Sequence, residues 1–144
     1  MIEQDTIRLL RECDAGVKMG VSSIDDVLES VKSKQLYTLL HTSKAEHEKL
    51  KTEIESALDR FKDTGKEPNF MAKTMSTVKT NVELMVSPTD ASIADLMTDG
   101  CNMGVKSLSK YLNEYEAADE SAKDVCKRLI HLEEQLARDI RVYL

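Results

Sequence analysis

The chain has 144 residues, which allows one domain with a hydrophobic core and leaves little room for a second. Charged residues make up 32% of the sequence and aromatic residues 4%, a composition that favours long helices over sheets. The net charge of −6 argues against a nucleic-acid partner, because phosphate contacts need a basic surface.

The cysteines Cys13, Cys101 and Cys126 are odd in number and include no C-x-x-C pair. They are therefore expected to be free thiols in a reducing compartment. The first residues, MIEQDTIRLLREC, have neither the basic nor the apolar region of a signal peptide. No apolar run approaches the roughly 20 residues that a membrane span requires. The sequence thus predicts a cytoplasmic protein without a membrane partner.

The first half of the chain predicts a helical hairpin. A first helix is expected from Ile2 to about Val31, because its apolar and small residues recur at spacings of three and four. A polar join at 32–34 leads to a second helix that ends near Phe61. A connection this short requires the two helices to lie antiparallel.

The second half predicts another hairpin after a long crossover. The crossover, 64–88, begins with a break that contains Gly and Pro and then carries a short amphipathic helix. A further long helix is expected to begin at Thr89 or Asp90, either of which can cap it, and to end near Tyr115. The last helix is expected from Asp119 to the end of the chain.

An internal repeat relates the two halves. Residues 16–31, GVKMGVSSIDDVLESV, and 100–115, GCNMGVKSLSKYLNEY, are identical at six of sixteen positions. The sequence therefore predicts that hairpin one (2–63) and hairpin two (89–144) are copies of one unit within a single domain, 1–144. Each copy carries a Gly-x-x-x-Gly pair, which we expect to let helix backbones approach closely. Chance glycines on a tolerant surface are the alternative.

This organisation resembles the ferritin-like superfamily, in which two antiparallel hairpins are joined by one long crossover. The stretch LLRECDAGVKMG, residues 9–20, is also similar to the first helix of small uncharacterised bacterial ferritin-like proteins. The resemblance implies an all-α, ferritin-like four-helix bundle of two pseudo-symmetric helical hairpins, with an extra short helix in the crossover.

The resemblance also implies where a metal centre would lie. Ferritin-like di-metal proteins carry Glu-x-x-His on two helices and a carboxylate on each of the other two. Here Lys44 stands three residues before His47, and Leu136 stands three after Glu133, so the motif is absent at both places. His47 and Glu133 nevertheless hold equivalent polar positions in apolar rows, where burial penalises each without a partner.

Two interpretations of this pair remain open: a hydrogen-bonded pair in the bundle centre, or a remnant metal site. Under the second interpretation, the neighbouring oxygen donors would be Glu46, Glu48 and Glu134. His41 and His131 are expected at the surface. The tyrosines expected to gather at one end of the bundle are Tyr111, Tyr115 and Tyr143.

The functional prediction follows from what the sequence lacks. It contains neither a Ser/His/Asp order nor a phosphate-binding glycine loop. We therefore expect a non-enzymatic structural or interaction module with a degenerate metal site and no cofactor. Apolar stripes on opposite faces of the long helices predict a homodimer, with any other protein partner left open. The alternative is an iron- or manganese-binding protein of the di-iron carboxylate class.

Overall fold

The computed structural model of the chain describes residues 2–61 and 88–144. Within these ranges the secondary structure is helical and includes no strand, which confirms the all-α class. The helix predicted inside the crossover lies outside the described residues. The elements are α1 (Ile2–Leu28), α2 (Lys34–Asp59), α3 (Asp90–Glu114), α4 (Glu120–Asp139) and a final 3-10 helix (Ile140–Tyr143).

The helices begin at residues that can cap them. Thr89 accepts a hydrogen bond from the Ser92 amide at 3.0 Å, and Ser92 in turn accepts one from the Thr89 amide at 2.9 Å. Asp119 accepts from the Ala122 amide at 2.8 Å and so starts α4. The predicted starts of both helices in the second hairpin are confirmed.

Two apolar clusters fill the space between the four helices. One lies toward the join between α3 and α4, and the other lies toward the join between α1 and α2. The first cluster includes Leu9, Cys13, Ile54, Cys126 and Leu129. The second includes Ile24, Leu36, Leu40, Ile93 and Leu136.

All three cysteines are free and buried. A hydrogen bond to Cys126, together with burial, raises the pKa of the Cys13 thiol well above its usual value. The same hydrogen bond lowers the pKa of Cys126. The Cys13 thiol therefore stays protonated and behaves as a small core residue rather than as a nucleophile.

The tyrosines do not gather at one end as predicted. Tyr111 and Tyr115 stack with their ring centroids 6.2 Å apart beside the first cluster. Tyr143 packs against the second cluster instead. The prediction for Tyr143 was wrong because α4 returns along the bundle and carries its last residues to the opposite end.

Each hairpin forms hydrogen bonds with the loop of the other hairpin. The Asp90 carboxylate accepts the backbone N–H groups of Lys32 at 2.9 Å and Ser33 at 3.0 Å. At the opposite end, the Thr6 hydroxyl accepts the backbone N–H of Asp119 at 2.9 Å. The start of α3 therefore lies beside the α1–α2 loop, and the start of α1 lies beside the α3–α4 loop.

These contacts fix the directions of the helices. α1 and α3 run antiparallel, and α2 ends at the end of the bundle opposite to the one where α3 begins. The segment between Phe61 and Pro88 consequently joins opposite ends of the bundle. None of the helices in the described ranges is both long enough and apolar enough to cross a membrane.

Candidate functional site

The two polar residues singled out by the repeat lie together in the bundle. His47 on α2 is fully buried, and Glu133 on α4 is 8% exposed. Each stands on an apolar stripe with buried neighbours one helical turn away, Leu50 beside His47 and Leu136 beside Glu133. Helical spacing therefore turns both polar side chains inward, as the sequence predicted.

The hydrogen bonds of His47 determine how many protons the pair holds. Nε2 lies 3.0 Å from Oε1 of Glu133, and Nδ1 lies 2.7 Å from the backbone carbonyl oxygen of Ser43. A carbonyl oxygen can only accept, so Nδ1 carries a proton. Nε2 and Oε1 then share one further proton. The pair is either an imidazolium with a carboxylate or an imidazole with a carboxylic acid, and its net charge is zero in both cases.

The surroundings of His47 favour the charged form. Burial alone lowers the pKa of His47. The hydrogen bond and negative charge of Glu133, with a smaller contribution from the Ser43 carbonyl, outweigh burial and raise the pKa above its usual value. The pair is therefore an imidazolium that faces a carboxylate up to a higher pH than an ordinary histidine would allow.

The glycines of the repeat make room for this pair. A methyl group added at Gly20 would lie 2.6 Å from Cδ2 and 2.8 Å from Nε2 of His47, so the imidazole occupies the place of a side chain. At Gly104, a methyl group would lie 3.7 Å from the Glu133 carboxyl carbon. At Gly100 it would meet no atom within 4 Å. The expected close contact between backbones is therefore wrong for Gly100, which borders open space, and for Gly16, whose neighbours within 4 Å are leucine side chains.

That open space is a cavity of about 220 Å³ between the glycine faces of α1 and α3. His47 and Glu133 lie on its wall, together with the thiol of Cys101. Most of its remaining lining is apolar and is represented by Met19, Ile24, Leu96, Met97, Leu108 and Leu136. The lining also includes the buried Ser23 and the exposed Asp99.

Cys101 is a site residue that the sequence reasoning missed. Its side chain is buried, and it lines the cavity together with Glu133. Burial and the negative charge of Glu133 raise the pKa of Cys101 far above its usual value, so the thiol stays protonated. The sequence did hold a signal, since Cys101 stands four residues after Met97 and seven before Leu108, a spacing that puts all three on one buried face of α3.

The carboxylates predicted as additional metal ligands lie elsewhere. Glu46 and Glu48 are exposed, and Glu48 lies 4.0 Å from the ammonium of Lys44. Glu134 lies 3.7 Å from His131, whose side chain is largely exposed, as predicted. Nowhere in residues 2–61 and 88–144 do three or more His, Cys, Asp or Glu side chains form a group that could hold a metal ion.

The residues present therefore do not fit a di-metal carboxylate centre. In the described ranges, one imidazole and one carboxylate converge, and the other side chain that interacts with the carboxylate is a protonated thiol. Iron and manganese ions need several further oxygen or nitrogen donors to be held at useful affinity. No chemistry that depends on a bound metal follows from this arrangement.

A second buried carboxylate, Asp14 on α1, was not expected in the interior. Its side chain is fully buried, and its Oδ2 lies 2.7 Å from the ammonium of Lys18 one turn along the helix. His41 is exposed as predicted and stacks on Tyr37 with their ring centroids 6.0 Å apart.

Comparisons with known proteins add no family to this geometry. No protein-family model matches the chain, and no curated protein sequence matches it. The function of the site is therefore inferred from its residues alone.

Proposed function

We propose that the protein is a non-enzymatic helical bundle, a structural or interaction module in which the His47–Glu133 pair stands where a ferritin-like protein would hold metal. The observation that carries the proposal is that both ring nitrogens of His47 have hydrogen-bond partners within the protein. One ring nitrogen donates to the Ser43 carbonyl at 2.7 Å and the other meets Glu133 at 3.0 Å. A buried polar pair with its main hydrogen bonds formed needs no ion to stabilise it.

The chemistry of the residues supports a non-enzymatic role. The imidazole is engaged by a carboxylate and a carbonyl, so it has no free position from which to act as a base. The neighbouring Cys101 thiol is held in its protonated form, which is a poor nucleophile. The site therefore lacks an activated group that could begin a reaction.

Three features support the ferritin-like relationship within this proposal. The segment between Phe61 and Pro88 joins opposite ends of the bundle, as the single long crossover of that superfamily does. His47 and Glu133 come from equivalent positions of the sequence repeat. Each hairpin also binds the loop of the other through the first turns of α1 and α3. Together these features favour a duplication of one hairpin about a pseudo-two-fold axis.

Elemental analysis of the full chain purified without added metal tests the proposal. We expect iron, manganese and zinc far below one equivalent per chain, and the same midpoint of thermal unfolding with and without chelator. Near-stoichiometric iron or manganese that is lost in His47→Ala would contradict the proposal. It would instead support the alternative function, an iron- or manganese-binding protein. The His41→Ala variant is the matched control, since this histidine lies at the surface.

The proposal includes a homodimer in a reducing compartment such as the cytoplasm. The dimer is supported by the apolar stripes that the sequence places on opposite faces of the long helices. The compartment is supported by three free, buried thiols. Light scattering that finds only a monomer at high protein concentration would remove the dimer from the proposal.

A further inference from the structure

We propose that the cavity between α1 and α3 binds a small neutral molecule with an apolar, ring-sized body and one hydroxyl or N–H group that donates to Glu133. The inference goes beyond the proposed function, because a bundle can act as a structural module without a ligand. It rests on the volume of the cavity, its lining, the partners of Glu133 and the charge of the pair.

The volume of the cavity sets the size of the ligand. An apolar protein cavity of about 150 Å³ is large enough to hold benzene. The cavity here has about 220 Å³, which suits a substituted six-membered ring or two fused rings. Its walls include Met19 and Met97, whose flexible thioether side chains adapt to the shape of a bound ring.

Glu133 gives the cavity one polar end. The residue is more than nine-tenths buried, and Oε1 is engaged by His47. Within the described parts of the chain, the only other side chain that interacts with this carboxyl is Cys101, whose thiol is a weak donor. A carboxyl group has about four acceptor positions, so Glu133 can still accept a hydrogen bond from a ligand.

The glycine at position 104 keeps this acceptor accessible. A methyl group there would lie 3.9 Å from Oε2 of Glu133, in van der Waals contact with it. Glycine leaves that approach open from the cavity side. The free acceptor position of Glu133 therefore borders the open space of the cavity.

The charge of the pair selects a neutral ligand. His47 and Glu133 share one proton between Nε2 and Oε1, so together they carry no net charge. The other carboxylate of the lining, Asp99, is exposed to solvent. A carboxylate or an ammonium ion bound beside Glu133 would therefore add an uncompensated charge among mostly apolar walls, which is strongly unfavourable. A neutral hydroxyl or N–H group supplies the missing donor at no such cost.

Access to the cavity lies along α3. Gly100 has open space in place of a side chain, and Met103 near it on the cavity lining is 46% exposed. A side chain added at position 100 therefore enters the cavity or its opening without a clash. This gives a variant that blocks the site and leaves the buried pair unchanged.

Fluorine NMR titrations of the full chain with four probes test the proposal. 4-Fluorophenol carries a ring and one donor, fluorobenzene lacks the donor, 4-fluorobenzoate is an anion and 4-fluorobenzylamine is a cation. We expect saturable binding of one 4-fluorophenol per chain and affinity weaker by about tenfold or more for fluorobenzene, because a hydrogen bond to a charged group is lost. The two ions should bind more weakly still.

A matched pair of variants locates the binding. Gly100→Leu should abolish saturable binding of 4-fluorophenol without lowering the midpoint of thermal unfolding. Asn102→Leu adds the same side chain at an exposed position of α3 and should bind as the native protein does. Unchanged binding by Gly100→Leu would overturn the site. Equal affinity for fluorobenzene and 4-fluorophenol, tighter binding of either ion, or no saturable binding of any probe would overturn the proposed ligand class.

The probe titrations and the elemental analysis can fail independently of each other. Stoichiometric metal in the purified protein contradicts the metal-free pair whether or not 4-fluorophenol binds. A metal-free protein that binds no probe contradicts only the ligand site.

Discussion

Gly20 and Gly100 belong to the same repeated glycine pattern and line the same cavity, but their surroundings differ. The position of a side chain at Gly20 is taken by the buried imidazole of His47, and the position at Gly100 is open. The sequence identified both as glycines on a helical face. It could not distinguish them, because the difference depends on a residue of another helix.

The two glycines should therefore respond to alanine in opposite directions. Gly20→Ala is expected to lower the free energy of unfolding by about 1–3 kcal/mol, since the fully buried ring has little room to move. Gly100→Ala is expected to raise it by up to about 1 kcal/mol through helix propensity. Urea unfolding of both variants measures the difference. Equal stability of the two variants would show that the imidazole does not lie against Gly20.

The raised pKa of His47 predicts how stability depends on pH. A group whose pKa is raised by folding stabilises the folded state below its unfolded-state pKa, about 6.5 for histidine. That contribution is lost as the pH rises through the folded-state value. We therefore expect the native protein to lose more unfolding free energy between pH 6 and pH 8 than His47→Gln does. Urea unfolding at both pH values measures this, and the same loss in both proteins would contradict the assignment.

Replacing both members of the buried pair should be milder than replacing one. Glu133→Leu alone leaves His47 without its partner and is expected to cost about 3 kcal/mol. His47→Phe with Glu133→Leu removes both polar groups and keeps their approximate volume, so the double variant should be more stable than Glu133→Leu. A double-mutant cycle by urea unfolding measures the coupling. Additive costs would indicate that the two residues do not interact.

At the scale of the elements, the helix starts were easier to predict than the helix ends. Thr89 and Asp119 cap α3 and α4 through side chains that the sequence displays. α1 ends at Leu28, whereas its apolar stripe predicted a helix to about Val31. The loop after α1 is held by Asp90 of the other hairpin, and a contact between residues so distant in sequence leaves no local signal.

The two hydrogen bonds that Asp90 accepts should contribute to the docking of the hairpins. Asp90→Ala removes the acceptor for two loop N–H groups and is expected to lower the free energy of unfolding by about 1–2 kcal/mol. Asp95→Ala on the exposed side of α3 is the control and should change stability by less than about 0.5 kcal/mol. Equal effects of the two substitutions in urea unfolding would show that the loop contact contributes nothing.

At the scale of the whole molecule, the site was predicted from the internal repeat. The repeat placed two residues 86 positions apart at equivalent places, and the structure joins them by a hydrogen bond. The cavity, the burial of Asp14 and the role of Cys101 were not predicted. Stripes show which face of a helix is buried, but they do not give the separation of two facing helices or the polar groups that meet across it. The ferritin-like relationship itself stays a prediction.

The state of the His47 ring nitrogens tests the central claim most directly, namely that the polar pair is complete without a metal ion. A long-range proton–nitrogen NMR spectrum of the native chain reports the protonation of each histidine nitrogen, with His47 assigned by the loss of its signals in His47→Gln. We predict a protonated Nδ1, a proton shared between Nε2 and Glu133, and no change of these signals when one equivalent of Zn²⁺ is added. A metal-bound Nε2, in the purified protein or after addition of Zn²⁺, would contradict the account.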